Sequence, residues 1–454
     1  MRKHYLIEVA QNDQLIVFCP SNLIQDKRIK RIAFGSKSMD VEFFPHPDKN
    51  DRIVISRKIQ ETIQFPYFKV PLHAFLEDEV LYIGPLVGIF TAGFTSYPEQ
   101  PIGERTLFFA KLLSVNRSVG ALAFVFGEQH INWESGTIEG YFFEENVWQT
   151  VEVPFPNVIY DRLPNRKSEE NPKLIKVRNR LQKEYLIPWY NPGFFNKLDI
   201  YERLQQDSSV TAYLPETFPF TSFSSIETML SKYGHIFIKP KNGSLGHGVH
   251  QVIYDKHMDD YYCRYQDEAG VNRLRKYSSL ERLFQSVFAA QSLDRMLVQQ
   301  GIHLLRNDQR SVDFRVHTNK DENGEWQVTA IAGKIAGQGS VTTHARSGGD
   351  IKTIEEIFPK EEAEIYREKL SNAALLLSKA LDKNIEGIIG EIGFDLGIDR
   401  NGDIWLFEAN SKPGRSIFSH PELKEFDLLT RKLSIAFAVF ITEQSLLHPE
   451  ELFK

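Results

Sequence analysis

The clearest alternation of apolar and polar positions lies late in the chain. Two apolar runs, residues 390–398 and 403–409, flank Asp399-Arg400-Asn401-Gly402, and Asn-Gly between such runs predicts a β-hairpin. With Asn401 and Gly402 as the central turn residues, Arg400 pairs with Asp403. Counting outward then sets Asp395 opposite Glu408 and Asn410 opposite Gly393. Because side chains alternate with a period of two, Asp395, Glu408 and Asn410 project from one face. Earlier in the chain, short β-rich runs at 5–9, 15–19, 41–44 and 52–55 predict an N-terminal β-rich module over residues 1–80. Residues 81–190 read as a small α/β domain. It has a helix near 105–113, an apolar run at 121–126, strands at 137–143 and 158–160, and a charged, Asn-rich stretch at 165–173. From 191 to 454 the texture is that of an α/β enzyme. Strands are expected at 235–240, 296–302 and 312–316, and helices at 196–204, 280–288, 355–383 and 428–443.

The hairpin carries the first chemistry. Directly opposed residues have Cβ atoms about 5 Å apart, so two carboxylates and an amide oxygen form an oxygen ligand set for a hard cation, most simply Mg²⁺. Trp405, Leu406 and Phe407 mark a buried strand rather than an exposed polar face. A second feature is the strand at 235–240, which delivers Lys239 just before Lys241-Asn242-Gly243-Ser244-Leu245-Gly246-His247-Gly248. Glycines at 243, 246 and 248 permit backbone N–H groups to approach phosphate oxygens, while the lysine supplies a point charge. No Gly-Lys-Ser/Thr opens a helix there, so this is not a P-loop. Alternation across 312–316 places Asp313 and Arg315 on one face. The run 342–350 holds Gly348-Gly349 and Arg346, which suits close backbone approach and bidentate contact with an anion.

Composition narrows the classes. A chain of 454 residues suggests two to four domains. At 42% hydrophobic, 25% charged and a net charge of −6, it reads as soluble and globular, with no global footprint for nucleic acid or an anionic membrane. Cys19 and Cys263 form neither a disulfide framework nor a zinc site, which fits a reducing, cytoplasmic location. The first residues lack a signal-peptide core. The longest apolar stretch, 80–94, is interrupted by Pro85 and is shorter than the ~20 residues of a membrane span. The 13 histidines are scattered without metal spacing. No Ser/His/Asp or Cys/His set stands out, so the expected chemistry is electrostatic rather than covalent.

Taken in order, these motifs resemble the ATP-grasp superfamily, particularly its glutathione-synthetase-like and D-alanine ligase-like branches. The acidic hairpin ending in Glu-Ala-Asn-Ser-Lys-Pro-Gly is similar to the end of that fold which holds one or two Mg²⁺ ions, here on Asp395, Glu408 and Asn410. The resemblance implies ATP phosphate contacts from Lys197, from Lys239 and from the loop containing Gly243, Ser244, Gly246 and Gly248. It implies a base-reading strand carrying Gln299, Gln300 and Ile302, with Asp308 as the candidate for the ribose. Arg315 and Lys334 would face the transferring phosphate, and Arg346 would lie in a loop closing over substrate. One departure is that D-alanine ligases carry an arginine two residues before the metal aspartate, where this chain has Gly393. Over most of its length the chain resembles the YheC/YheD family of endospore coat-associated proteins. The implied fold class is α/β (α+β): an ATP-grasp fold preceded by a small α/β domain and the β-rich module. The implied activity is a carboxylate-amine ligase working through an acyl phosphate. Its rival is a nucleotide-binding scaffold of the spore coat that ligates nothing. Implied partners are ATP, a carboxylate, an amine and coat proteins, with a location in the mother cell or forespore, or associated with the coat.

Overall fold

Eight strands between His4–Ala10 and Val80–Gly84 form one mixed sheet. In the strand Arg52–Ser56, Ile53 and Ile55 turn inward to pack with Val17, Ile32 and Leu81, as the period of two requires. The computed structural model describes residues 3–24, 28–47, 51–241, 248–289, 291–343 and 349–452.

A second sheet follows. Strand β1 (Leu86–Phe90) leads through helix α1 (Thr106–Leu113) to β2 (Leu122–Phe126), which pairs parallel to one side of it. Later, β3 (Val158–Asp161) pairs parallel on the other side, followed by β4 (Trp189–Tyr190). The strand order therefore reverses between β1 and β3. All ten residues of β1 and β2 are buried, which explains their unbroken apolar runs. The stretch 165–173 is more ordered than its composition suggests. Asn165 and Asn171 each cap a helix, the second being Pro172–Lys183 with proline in its first turn.

Helix α2 (Lys197–Gln205) opens on an Asn196 cap whose Oδ1 accepts from the N–H groups of Leu198 and Asp199. A third, six-stranded sheet contains β5 (His235–Pro240), β6 (His250–Asp255), β7 (Asp260–Gln266) and β8 (Met296–Gln300), in the order β8-β5-β6-β7. A fourth contains β9 (Arg310–Lys320) and β10 (Trp326–Ile335). Helix α3 (Lys360–Asn384) covers its apolar face, packing Leu370, Ala374, Leu377 and Leu381 on Phe314, Val316, Phe394 and Leu396. It starts five residues later than its composition predicts because Pro359 precedes it.

The fourth sheet ends in β11 (Glu391–Ile398) and β12 (Ile404–Asn410). Helix α4 (Lys424–Leu447) closes the chain; its Ile435, Phe437 and Val439 pack against Val87, Ile89 and Tyr160 of the second sheet. The hairpin turn differs from the expected one. Gly402 N–H donates to Asp399 O at 3.0 Å and Gly402 sits at φ +81°, so Arg400 and Asn401 are the central residues of a turn closed by a left-handed glycine. Arg400 does not pair with Asp403; Asp399 does, and Ile398, Gly397 and Leu396 face Ile404, Trp405 and Leu406. A bulge at Phe407 then shifts the ladder by one residue. Beyond it Asp395 faces Glu408 and Gly393 faces Asn410, the expected register.

Candidate functional site

The third and fourth sheets enclose a cavity of about 340 Å³. Its floor follows from strand register: Phe237 lies between Gln299 and Gln251, and Gln251 faces Arg264, so one row crosses β8, β5, β6 and β7. Alternation along β5 brings Lys239 and His235 to the same face as Phe237. The wall opposite comes from Asp313, Lys334, Asp395, Phe407 and Glu408, and Lys197 enters from the first turn of α2. Of the residues expected from sequence, Lys197, Lys239, Gln299, Ile302, Lys334, Asp395 and Glu408 line this one cavity. Gly243, Ser244, Gly246 and Arg346 lie outside the described residues. Gly248 is described at φ +72°, where a Cβ would come within 2.9 Å of Pro240 Cγ.

Lys239 is the most telling group. It is buried, and its Nζ reaches Gln299 Oε1 at 2.9 Å and the bulged Phe407 carbonyl at 3.4 Å, both uncharged acceptors. Burial, aided by the neighbouring Lys197 charge and opposed by Glu408, pushes its ammonium down to about 7. Gln299 is held in turn by its amide N–H on Thr217 Oγ1 at 2.9 Å. That bond fixes its oxygen toward Lys239, so the Gln299 side chain positions the lysine. Gln300 Oε1 accepts from the Glu216 N–H at 3.0 Å and buttresses the strand end.

At the other wall, Arg315 grips Asp395 with two bonds, Nε to Oδ1 at 2.7 Å and Nη2 to Oδ2 at 3.0 Å, and Lys334 Nζ adds a third at 2.9 Å. Burial would raise the Asp395 carboxyl, but Arg315 and Lys334 overcome it and hold the group well below the usual carboxylate range. Lys334 also lies 3.0 Å from Asp313, whose own carboxyl is pushed up by burial and by Asp395. Glu408 is more open, meeting Lys197 Nζ at 3.5 Å. Asn410 stands on the same face by register, opposite Gly393. Asp395, Glu408 and Asn410 thus present oxygen donors of the kind a hard cation takes, while both Asp395 oxygens are engaged by Arg315 and Lys334 and Asn410 is not among the residues lining the cavity. A Cβ at Gly393 would lie 2.5 Å from Pro413 Cβ and 3.5 Å from Arg315 Nη1. An arginine at 393 therefore has no room, and Arg315 reaches this side of Asp395 from the adjacent strand.

Asp308 does not serve as expected. It occupies an exposed left-handed turn at φ +48°, outside the lining, whereas Arg306 lines the cavity. Sequence reasoning also missed His235, Gln251, Arg264, His303, Arg400 and Phe407 in the lining. The period of two placed His235 on the Lys239 face and could have found it. Gln251 and Arg264 needed the pairing of β5, β6 and β7, which no local pattern states. Lining charges are Lys197, Lys239, Lys334, Arg264, Arg306 and Arg400 against Asp313, Asp395 and Glu408, an arrangement suited to a polyanion.

A strand-delivered lysine, the neighbouring strand with Gln299 and an acidic hairpin around one cavity are the arrangement of an ATP-grasp protein. The model of YheC/D-like ATP-grasp proteins matches residues 186–441, and the chain belongs to that family. It is 40% identical over 453 residues to endospore coat-associated protein YheD of Bacillus subtilis (strain 168), covering 99% of each chain. To YheC of the same organism it is 25% identical over 290 residues, 63% of this chain and 78% of the relative. Among solved structures it is similar to D-alanine–D-alanine ligase from Bacillus anthracis, with 13% identity, TM-score 0.45, and coverage of 80% of this chain and 99% of the other. It is also similar to the ATP-grasp ligase PsnB complexed with minimal precursor, with 13% identity, TM-score 0.43, and coverage of 78% and 99%.

Proposed function

We propose that the chain is an ATP-dependent carboxylate-amine ligase. The observation that carries this is the buried Lys239 ammonium, which among the described residues has only neutral acceptors and lies across the cavity from Asp395 and Glu408. A buried cation without an anionic partner is costly, and a phosphate oxygen would supply the partner. Asp395, Glu408 and Asn410 would hold Mg²⁺, which when bound offsets charge between phosphates. Lys197 and Lys239 then bind and orient the phosphate chain, Ile302 borders the base, and Arg315 and Lys334 are placed to stabilise charge on the phosphoryl group as it moves to a substrate carboxylate. An amine attacks the resulting acyl phosphate and phosphate leaves. No side-chain nucleophile is required. Gly243, Ser244, Gly246, Gly248 and Arg346 are assigned to phosphate and acyl-phosphate binding as an extension of this reading. The name of the relative, endospore coat-associated protein YheD, supports a location for this activity in the sporulating cell or on the spore coat.

The test is Mg-ATP hydrolysis across a panel of amino acids, short peptides and cell-wall fragments, with a thermal melt beside it. Mg-ATP should raise Tm, and at least one panel member should stimulate ADP release. Glu408→Gln keeps shape and removes one charge, so it should fold and lose most of that turnover. Stimulated ADP release undiminished in Glu408→Gln would refute the metal assignment. Stabilisation by Mg-ATP with no stimulation by any compound would favour a nucleotide-binding scaffold.

A further inference from the structure

The second sheet holds a basic cluster that the nucleotide cavity does not use. In an open parallel sheet, ligands bind outside the carboxyl ends of the strands where strand order reverses, and here that point lies between β1 and β3. Arg105, just before α1, spans it: Nη1 donates to Thr91 Oγ1 at 2.7 Å and Nη2 to the Arg162 carbonyl at 2.8 Å. Arg105 has no carboxylate partner among the described residues. The guanidinium carbons of Arg105, Arg162 and Arg431 lie 5.8, 4.9 and 5.1 Å from the centre of one ring, Phe108, in the first turn of α1.

The nearby acids do not balance this charge. Glu391 serves Arg162 at 3.2 Å and Arg415 at 3.4 Å, and Asp427 serves Arg415 at 2.8 Å and Arg431 at 3.0 Å. Asp161 is engaged by Lys412 at 2.7 Å and by Trp189 Nε1 at 3.0 Å. Arg162, Arg415 and Arg431 therefore share two carboxylates, Glu391 and Asp427, and Arg105 pairs with neither. Arg162 is 6% exposed, yet its Nε has no hydrogen-bond partner among the described residues. A buried donor left unpaired is uncommon and calls for an acceptor. Burial and the adjacent Arg162 also push the Arg105 guanidinium down to about 9, a strain that an anion would relieve.

We propose that the crevice at the carboxyl ends of β1 and β3 binds the carboxylate or phosphate of a small organic acid, held by Arg105 and Arg162 against the first turn of α1. Glu391 begins β11 and Asp395 lies four residues along it, about 13 Å at 3.3 Å per residue. Within the ligase reading, the site would anchor the charged far end of a substrate whose reacting end lies at Asp395; the anion site itself does not depend on that reading.

The test titrates inorganic phosphate and, separately, succinate into the full chain at constant ionic strength set with chloride, reading Tm. Lys239→Ala removes the competing phosphate site of the nucleotide cavity. Protection should persist in Lys239→Ala, and Arg105→Gln should weaken it about ten-fold or more, the loss of a charge-assisted contact. Phosphate alone protecting would assign the group as a phosphate, and succinate alone as a carboxylate. Protection no greater than with chloride, or protection lost in Lys239→Ala and kept in Arg105→Gln, would overturn the proposal. Should Arg105→Gln not fold, Arg105→Lys retains the charge and one bond; anion affinity unchanged in that variant would overturn it equally. Mg-ATP protection of the wild type reports separately on the nucleotide reading, so the two can fail independently.

Discussion

Nucleotide binding should draw a proton onto Lys239. In the free protein its amine sits near 7. At pH 8 it is then about 0.1 protonated, and at pH 7 about 0.5; a phosphate partner returns it toward the ordinary lysine value of about 10.4. Binding one ATP should therefore take up about 0.9 of a proton at pH 8, about 0.5 at pH 7 and about 0.1 at pH 6. Titration calorimetry in buffers of different ionisation enthalpy measures this uptake directly. Lys239→Arg keeps the charge and cannot deprotonate, so it cancels other ionisations, including those of ATP, and its uptake should lack the rise between pH 6 and 8. The stability sign agrees. A lysine whose folded value is depressed opposes folding fully below pH 7, and that opposition fades as pH rises from 7 toward the unfolded value. The unliganded wild type should thus gain stability relative to Lys239→Met across that window. Proton uptake equal in wild type and Lys239→Arg at pH 8 would refute the reasoning, because it would mean the amine is already charged before nucleotide arrives.

Two further outcomes follow from packing and pairing. A Cβ at Gly301 would lie 2.2 Å from His235 Cδ2 and 2.4 Å from the His235 carbonyl, so Gly301→Ala should separate β5 from β8 and destabilise by about 1–3 kcal/mol, seen as a lowered Tm. Arg315→Met leaves the buried Asp395 with Lys334 alone and should lose about 3 kcal/mol at pH 7. Asp395 is depressed, so its pairing contributes fully above the unfolded value of about 3.9 and is lost as pH falls; a stability difference that stays constant down to pH 3 would contradict the pairing.

What was legible in the sequence was whatever local alternation could carry. Lys239, Asp313, Arg315 and Asp395 each stand on strands whose period of two states their face, and all except Arg315 line the one cavity, with Arg315 bonded to Asp395 directly behind it. The row from Gln299 to Arg264 was not legible, because its members meet only through strand pairings between segments up to 62 residues apart. The basic cluster at β1 and β3 was hidden for the same reason: Arg105, Arg162 and Arg431 come together only when α4 packs on the second sheet.

The hairpin shows how a correct register can rest on an incorrect turn. A two-residue turn at Asn401-Gly402 and an unbroken ladder predict Asp395 opposite Glu408. In the structure the loop is one residue longer, and the Phe407 bulge restores the count. Burial along the strand records that bulge. Positions 404, 406 and 409 are buried while 407 and 408 are not, so the alternation breaks between Leu406 and Ala409. An unbroken ladder would have put Leu406 and Glu408 on the same face, forcing either an apolar side chain into the polar site or a carboxylate into the core. The bulge resolves that conflict. It keeps Leu406 against Leu396 inside and turns Glu408 toward Asp395. It also frees the Phe407 carbonyl, the atom that Lys239 reaches at 3.4 Å. One inserted residue thus sorts core from site and supplies an acceptor to the lysine on which the nucleotide reading rests.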